Sequence, residues 1–183
     1  MSATTSRSST RKSMADMVRS LALVLVVVVI LLFIGPARAL IFPGRDKIAP
    51  VDYSSVVNGF RTVTGTAVVV PASLPKSWRA NAANLTRGKS AHAASMHIGW
   101  ALPRSTFIEL DETNGGAQPL LRTVLGPAGD AVRGSRSVAG VDWQVRRSQR
   151  GELALTGNVG GLFVVLTGNA TDSDFATLAS SLH

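Results

Sequence analysis

The sequence predicts an α+β protein: an N-terminal transmembrane helix followed by one exported domain with an antiparallel sheet and flanking helices. Three observations carry this. Leu21 to Ile34 is an unbroken run of fourteen apolar residues. Apolar residues recur at helical spacing at 53–60 and again at 175–182. Between these stretches lie short segments of period-two alternation bounded by Gly and Pro. Helices on either side of a run of hairpins bury their stripes on one face of a sheet.

In chain order, residues 1–17 are Ser/Thr-rich and basic, and predict a disordered cytoplasmic tail. Residues 18–37 would be about 30 Å long as a helix, the thickness of a bilayer core. Arg7, Arg11, Lys12 and Arg19 outnumber Arg38, Arg45 and Lys47, which places the N-terminus inside and the long C-terminal part outside. The triplet Ala37-Arg38-Ala39 after Pro36 also suits a signal cleavage site, although Leu40 to Phe42 stay apolar beyond it. Residues 38–50 read as a linker, and 51–183 as the domain.

Tyr53, Val56, Val57 and Phe60 mark one helix face, with Asp52 as an N-cap or first-turn acid. Ala67 to Val70 predicts a short strand stopped by Pro71. Strands follow at Trp78 to Thr86, Ala94 to Leu102 and Thr106 to Glu112. In the last two, Met96, Ile98, Trp100, Ile108 and Leu110 form the buried face of a hairpin around Pro103-Arg104-Ser105. Leu120 to Leu125 fits a short helix or an extended segment equally well. Gly126 to Ser137 reads as a loop. Val141, Trp143 and Val145 alternate, Gln149 to Gly151 turns, and Leu153 and Leu155 continue. Leu162 to Thr167 is apolar on both faces, which predicts a central strand. Phe175, Leu178, Ala179 and Leu182 form a last helix opened by Thr171 and Asp172.

The absence of cysteine excludes disulfides, haem thioethers and thiolate metal sites. The net charge of +8 divides into +3 over residues 1–37 and +5 beyond. Outside the membrane such a charge meets anionic lipid head groups and cell-wall polyanions rather than nucleic acid. Arg146, Arg147 and Arg150 gather at a predicted hairpin tip, with Arg133 and Arg136 nearby. Together with His97 they are the candidate contacts for phosphate or carboxylate groups.

Candidate chemistry is sparse. His92 and His97 are five apart, so on one strand they face opposite ways and cannot share an ion; no metal site or other cofactor is expected. Glu109 and Asp111 share a strand face about 6.8 Å apart, near the spacing used in glycoside hydrolysis. They also read as the wet side of a hairpin, so no catalytic residues are assigned. Nucleophile elbows, phosphate-binding loops and dinucleotide fingerprints are absent.

The order of landmarks resembles a known family. Pro50-Val51-Asp52-Tyr53 follows the basic-flanked span. Then come Leu74-Pro75 with Trp78-Arg79, His97-Ile98-Gly99-Trp100 with Pro103, and Phe107-Ile108-Glu109-Leu110. Val141-Asp142-Trp143 and Leu178-Ala179 with Ser181-Leu182 complete the set. This resembles domain of unknown function four-two-four-five, a family of small membrane-anchored proteins of mycobacteria and other actinobacteria. The resemblance implies an anchor, an exported domain and an envelope setting. It implies no activity.

The expected function is therefore a single-pass, membrane-anchored extracytoplasmic binding or accessory protein of the cell envelope. Its partners would be membrane lipid along residues 18–37 and anionic envelope components or an envelope protein. The alternatives are an envelope hydrolase using Glu109, Asp111 and His97, or a carrier of a hydrophobic ligand. A packed interior around Trp78, Trp100 and Trp143 favours the first, and a deep apolar cavity there favours the carrier. Convergence of Glu109, Asp111 and His97 in a cleft favours the enzyme.

Overall fold

The structure, a computed structural model, describes residues 17–26, 28 and 50–182. The chain divides into two units, Met1–Lys47 and Ile48–His183. In the first, residues 17–26 and residue 28 are helical. Among the described residues no helix is long and apolar enough to cross a membrane. The remainder of the expected span and the linker as far as residue 49 lie outside the described residues.

The second unit is α+β, as the alternation and helical spacings predict. Helix α1 (Ser54–Thr64) leads into strands β1 (Arg79–Arg87), β2 (Ala94–Ala101) and β3 (Phe107–Thr113). Helix α2 (Ala117–Leu125) precedes β4 (Gly134–Val138), β5 (Val141–Arg147), β6 (Leu153–Val159) and β7 (Leu162–Gly168), and helix α3 (Asp172–Ser181) follows. One seven-stranded antiparallel sheet results, in the order β1-β2-β3-β7-β6-β5-β4. The doubly apolar β7 occupies its middle.

Local chemistry sets the ends of these elements. The Asp52 carboxylate accepts from the backbone N–H and the hydroxyl of Ser54, which anchors the first turn of α1. Those two bonds hold the Asp52 carboxyl below its ordinary pKa. Gly65, at φ 66°, closes the helix in the left-handed conformation that favours glycine. In α3 a capping box joins Thr171 and Asp174.

Helices α1 and α3 share one sheet face. Val57, Phe60, Phe175 and Leu178 pack there against Met96, Ile98, Trp100, Ile108, Leu110, Trp143, Leu155, Val164 and Leu166. Trp100 and Trp143 are fully buried, and Tyr53 meets Trp100 edge-on with ring centroids 6.1 Å apart. Trp78 is half-buried at the margin of this core.

Two expected elements differ. Ala67 to Val70 is not a strand: Val68 and Val69 are buried, but the segment crosses the core without a ladder, and only Pro71 bridges to Leu182. Burial there serves packing, not pairing. The expected loop Gly126 to Ser137 contains β4, an edge strand whose residues are mostly exposed and so lack an apolar signature. The undecided segment Leu120 to Leu125 is helical. It places Leu120, Leu121 and Leu125 on the opposite sheet face, against Ala154 and Val165.

A candidate polar cleft beneath helix α2

Strand parity assigns the site residues. In β2, Met96, Ile98 and Trp100 face the main core, so His97 points to the face that α2 covers. Asp111 lies directly across from His97, and Glu109 sits two residues away on the same face of β3. His97 Nδ1 is 2.9 Å from Asp111 Oδ1. The Thr167 hydroxyl of β7 donates to Glu109 Oε2 at 3.3 Å. One donor atom from each of His97, Glu109 and Asp111 lies within 4.8 Å of the others.

This face is not the freely solvated surface that the hairpin reading expects. Helix α2 is only nine residues long, so it covers the sheet centre and leaves a cleft beside it. The cleft has a volume of about 800 Å³. His97, Glu109, Asp111 and Thr167 line it from the sheet, Arg122 and Thr123 from α2, and Ser148, Arg150 and Glu152 from the β5–β6 turn. A second cleft of about 790 Å³ meets the first at His97, Asp111, Thr123 and Val124. The Gln149 N–H donates to the Leu125 carbonyl at 2.8 Å, tying the end of α2 to the β5–β6 turn. At Gly126, φ 72°, a Cβ would fall 2.5 Å from Gln149 Oε1, so the chain there requires glycine.

Partial burial tunes the groups. The hydrogen bond to Asp111 raises the His97 pKa, and desolvation opposes it. Desolvation raises the Glu109 pKa, and the charge of His97 opposes it. Both shifts arise in a cleft open to small molecules. The Ser148 hydroxyl on the cleft wall donates to Glu152 Oε2 at 2.9 Å rather than to His97.

The arginines predicted as one patch separate. Arg146 and Arg147 are consecutive on β5 and so face opposite ways. Arg146 is buried and structural, donating to Thr156 Oγ1, the Gly129 carbonyl and Gln144 Oε1. Arg147 donates to the Gly151 carbonyl, and Arg136 reaches Asp172 at 3.4 Å. Arg136, Arg147 and Arg150 line a shallower depression at the sheet margin. Arg150 also borders the α2 cleft, whereas Arg133 is exposed near the start of β4. His92 is not on a strand at all; it lies in the turn before β2, with Nδ1 3.4 Å from the Val63 carbonyl.

Sequence reading missed Glu112. It shares the core-facing parity of Ile108 and Leu110, lies between Met96 and Val164 in the ladder, and has no exposed surface. Neither carboxylate oxygen has a hydrogen-bond partner. Burial pushes its pKa up to about 8, and the Val69 backbone amide opposes this without forming a hydrogen bond of normal geometry. The parity signal was present in the sequence, but the position reads as a strand end.

Residues 10–182 match the family described as Protein of unknown function (DUF4245). The chain belongs to this family. No curated protein and no solved structure matches it. The DUF4245 match spans the whole sheet and all three of its helices. It assigns no reaction to His97, Glu109 or Asp111.

Proposed function

We propose that this DUF4245 protein is a single-pass, membrane-anchored extracytoplasmic binding or accessory protein of the cell envelope. Its contact site is the cleft beneath α2. One observation carries the site: His97, Glu109 and Asp111 converge in an open cleft about 800 Å³ in volume, rimmed by Arg122 and Arg150. Such a cleft suits a small polar group or an extended segment of a partner. The anchor rests on the apolar run Leu21 to Ile34 and its basic flanks. The tryptophan interior is packed rather than hollow, which favours binding by this cleft over carriage of a hydrophobic ligand in the core. To test it, a photo-crosslinker is placed at Thr123 inside the cleft and at Ala176 on α3. A discrete cellular adduct from Thr123 alone is expected; equal labelling from both positions refutes the site.

The same convergence in a cleft is the outcome expected of an enzyme, so a second reading stands beside the first. The hydrogen-bonded His97–Asp111 pair beside a carboxyl of raised pKa is an arrangement that general acid–base catalysis uses. An envelope hydrolase would then act through Glu109, Asp111 and His97. The double variant Glu109→Gln, Asp111→Asn separates the readings. Full retention of the wild-type phenotype excludes catalysis, whereas a folded variant that still gives the Thr123 adduct but behaves like a gene deletion supports it.

A further inference from the structure

Two carboxylates and an imidazole meet at the floor of the cleft, and no lysine or arginine forms an ion pair with either carboxylate among the described residues. Asp111 is buried and Glu109 half-buried, so their charge is incompletely screened by water. The donors are held from outside. Three adjacent strands fix the backbones of His97, Asp111 and Thr167, and Thr167 orients Glu109. Gly99 leaves the floor open: it faces Glu109 across the ladder, and a Cβ there would lie 3.2 Å from Asn81 Oδ1 and 3.7 Å from His97 Nε2.

We propose that His97, Glu109 and Asp111 bind one divalent cation at the floor of the α2 cleft. Two carboxylate oxygens and one imidazole nitrogen form a borderline donor set, better suited to Zn²⁺ or Mn²⁺ than to Ca²⁺ or Mg²⁺, which take oxygen ligands. All three donors come from the sheet, so the remaining coordination positions face the cleft. A carboxylate or phosphate entering there completes the ion's shell, with Arg122 and Arg150 at the rim. This names a ligand for the cleft read above as the binding site and rests on that reading for its relevance, but the cation is tested alone.

The full chain, purified in detergent without an affinity tag and stripped with chelator, is titrated with Zn²⁺ and with Mn²⁺. One site of micromolar or tighter affinity is expected, weakened at least tenfold by Glu109→Gln or Asp111→Asn and unchanged by Asp172→Asn. A wild-type measurement guards against misfolded variants: substoichiometric Mn²⁺ should broaden the ring resonances of His97 and spare those of His92. Absent saturable binding, or equal broadening of both histidines, overturns the site. Metal binding without a Thr123 adduct upholds the cation and removes the partner reading. An adduct without metal binding does the reverse.

Discussion

Glu112 is a buried acid without a partner, and its ionisation should govern how stability depends on pH. Its folded pKa is about 8, while an unfolded glutamate titrates near 4.3. Between these values the folded state holds the proton that the unfolded state has lost. Stability is therefore greatest below about pH 4.5 as far as this group is concerned, and falls as pH rises towards 8. The loss approaches about 1.4 kcal/mol per pH unit, up to roughly 5 kcal/mol in total. His97, with its raised pKa, adds a loss of the same sign as pH rises from about 6.5 through its folded value. Denaturant titrations in chelator from pH 5 to 8 should show a falling midpoint in the wild type and a flatter profile in Glu112→Gln. An unchanged slope in the variant would mean that Glu112 is already ionised. At the cleft, Asp111→Asn should cost about 1–2 kcal/mol in chelator, since it weakens the bond to His97 in a partly desolvated place. A null effect would leave the pair irrelevant to folding.

Among the elements, those with a strong apolar period were legible in sequence. The β2–β3 hairpin, central β7 and helices α1 and α3 follow from Met96, Ile98, Trp100, the run Leu162 to Thr167, and the 53–60 and 175–182 spacings. Elements of weak amphipathicity were not. Strand β4 consists of Gly, Ser and Arg with a single Val, and only its pairing with β5 makes it a strand. Helix α2 is too short for its period to decide, yet it turns a wet hairpin face into a cleft. The site was therefore half legible: His97, Glu109 and Asp111 were named, but parity alone could not say that a helix would roof them. The Thr171 cap is the simplest element to test. Thr171→Ala removes the hydroxyl that accepts from Asp174 N–H, and should cost about 1 kcal/mol by thermal denaturation. No loss would indicate that packing of Phe175 and Leu178 alone fixes α3.

For the whole molecule, Trp143 is the sharpest probe of the core. It is fully buried, and Gly157 makes room for its ring, since a Cβ there would fall 3.2 Å from Trp143 Cε3. Trp143→Ala should cost about 3–5 kcal/mol in denaturant titration, and a loss under about 1 kcal/mol would contradict the packing. The proposed anchor is checked separately, by alkaline carbonate washing of membranes and N-terminal sequencing. Retention of an intact chain is expected; a soluble product starting at Leu40 would remove the anchor. The strand order has a further consequence, for biogenesis. Strands β1 to β3 and β4 to β7 are each chains of neighbouring hairpins except that the two groups meet only at β3 and β7. The last strand made thus closes the seam. Until Leu162 to Gly168 has paired with it, β3 offers a bare edge in mid-sheet, the kind of edge on which unfinished chains stick to one another. Pulsed hydrogen exchange should find amides of the β1–β2 and β5–β6 pairs protected before those of the β3–β7 pair. The slowest step in making this domain is then expected to be the joining of two finished halves.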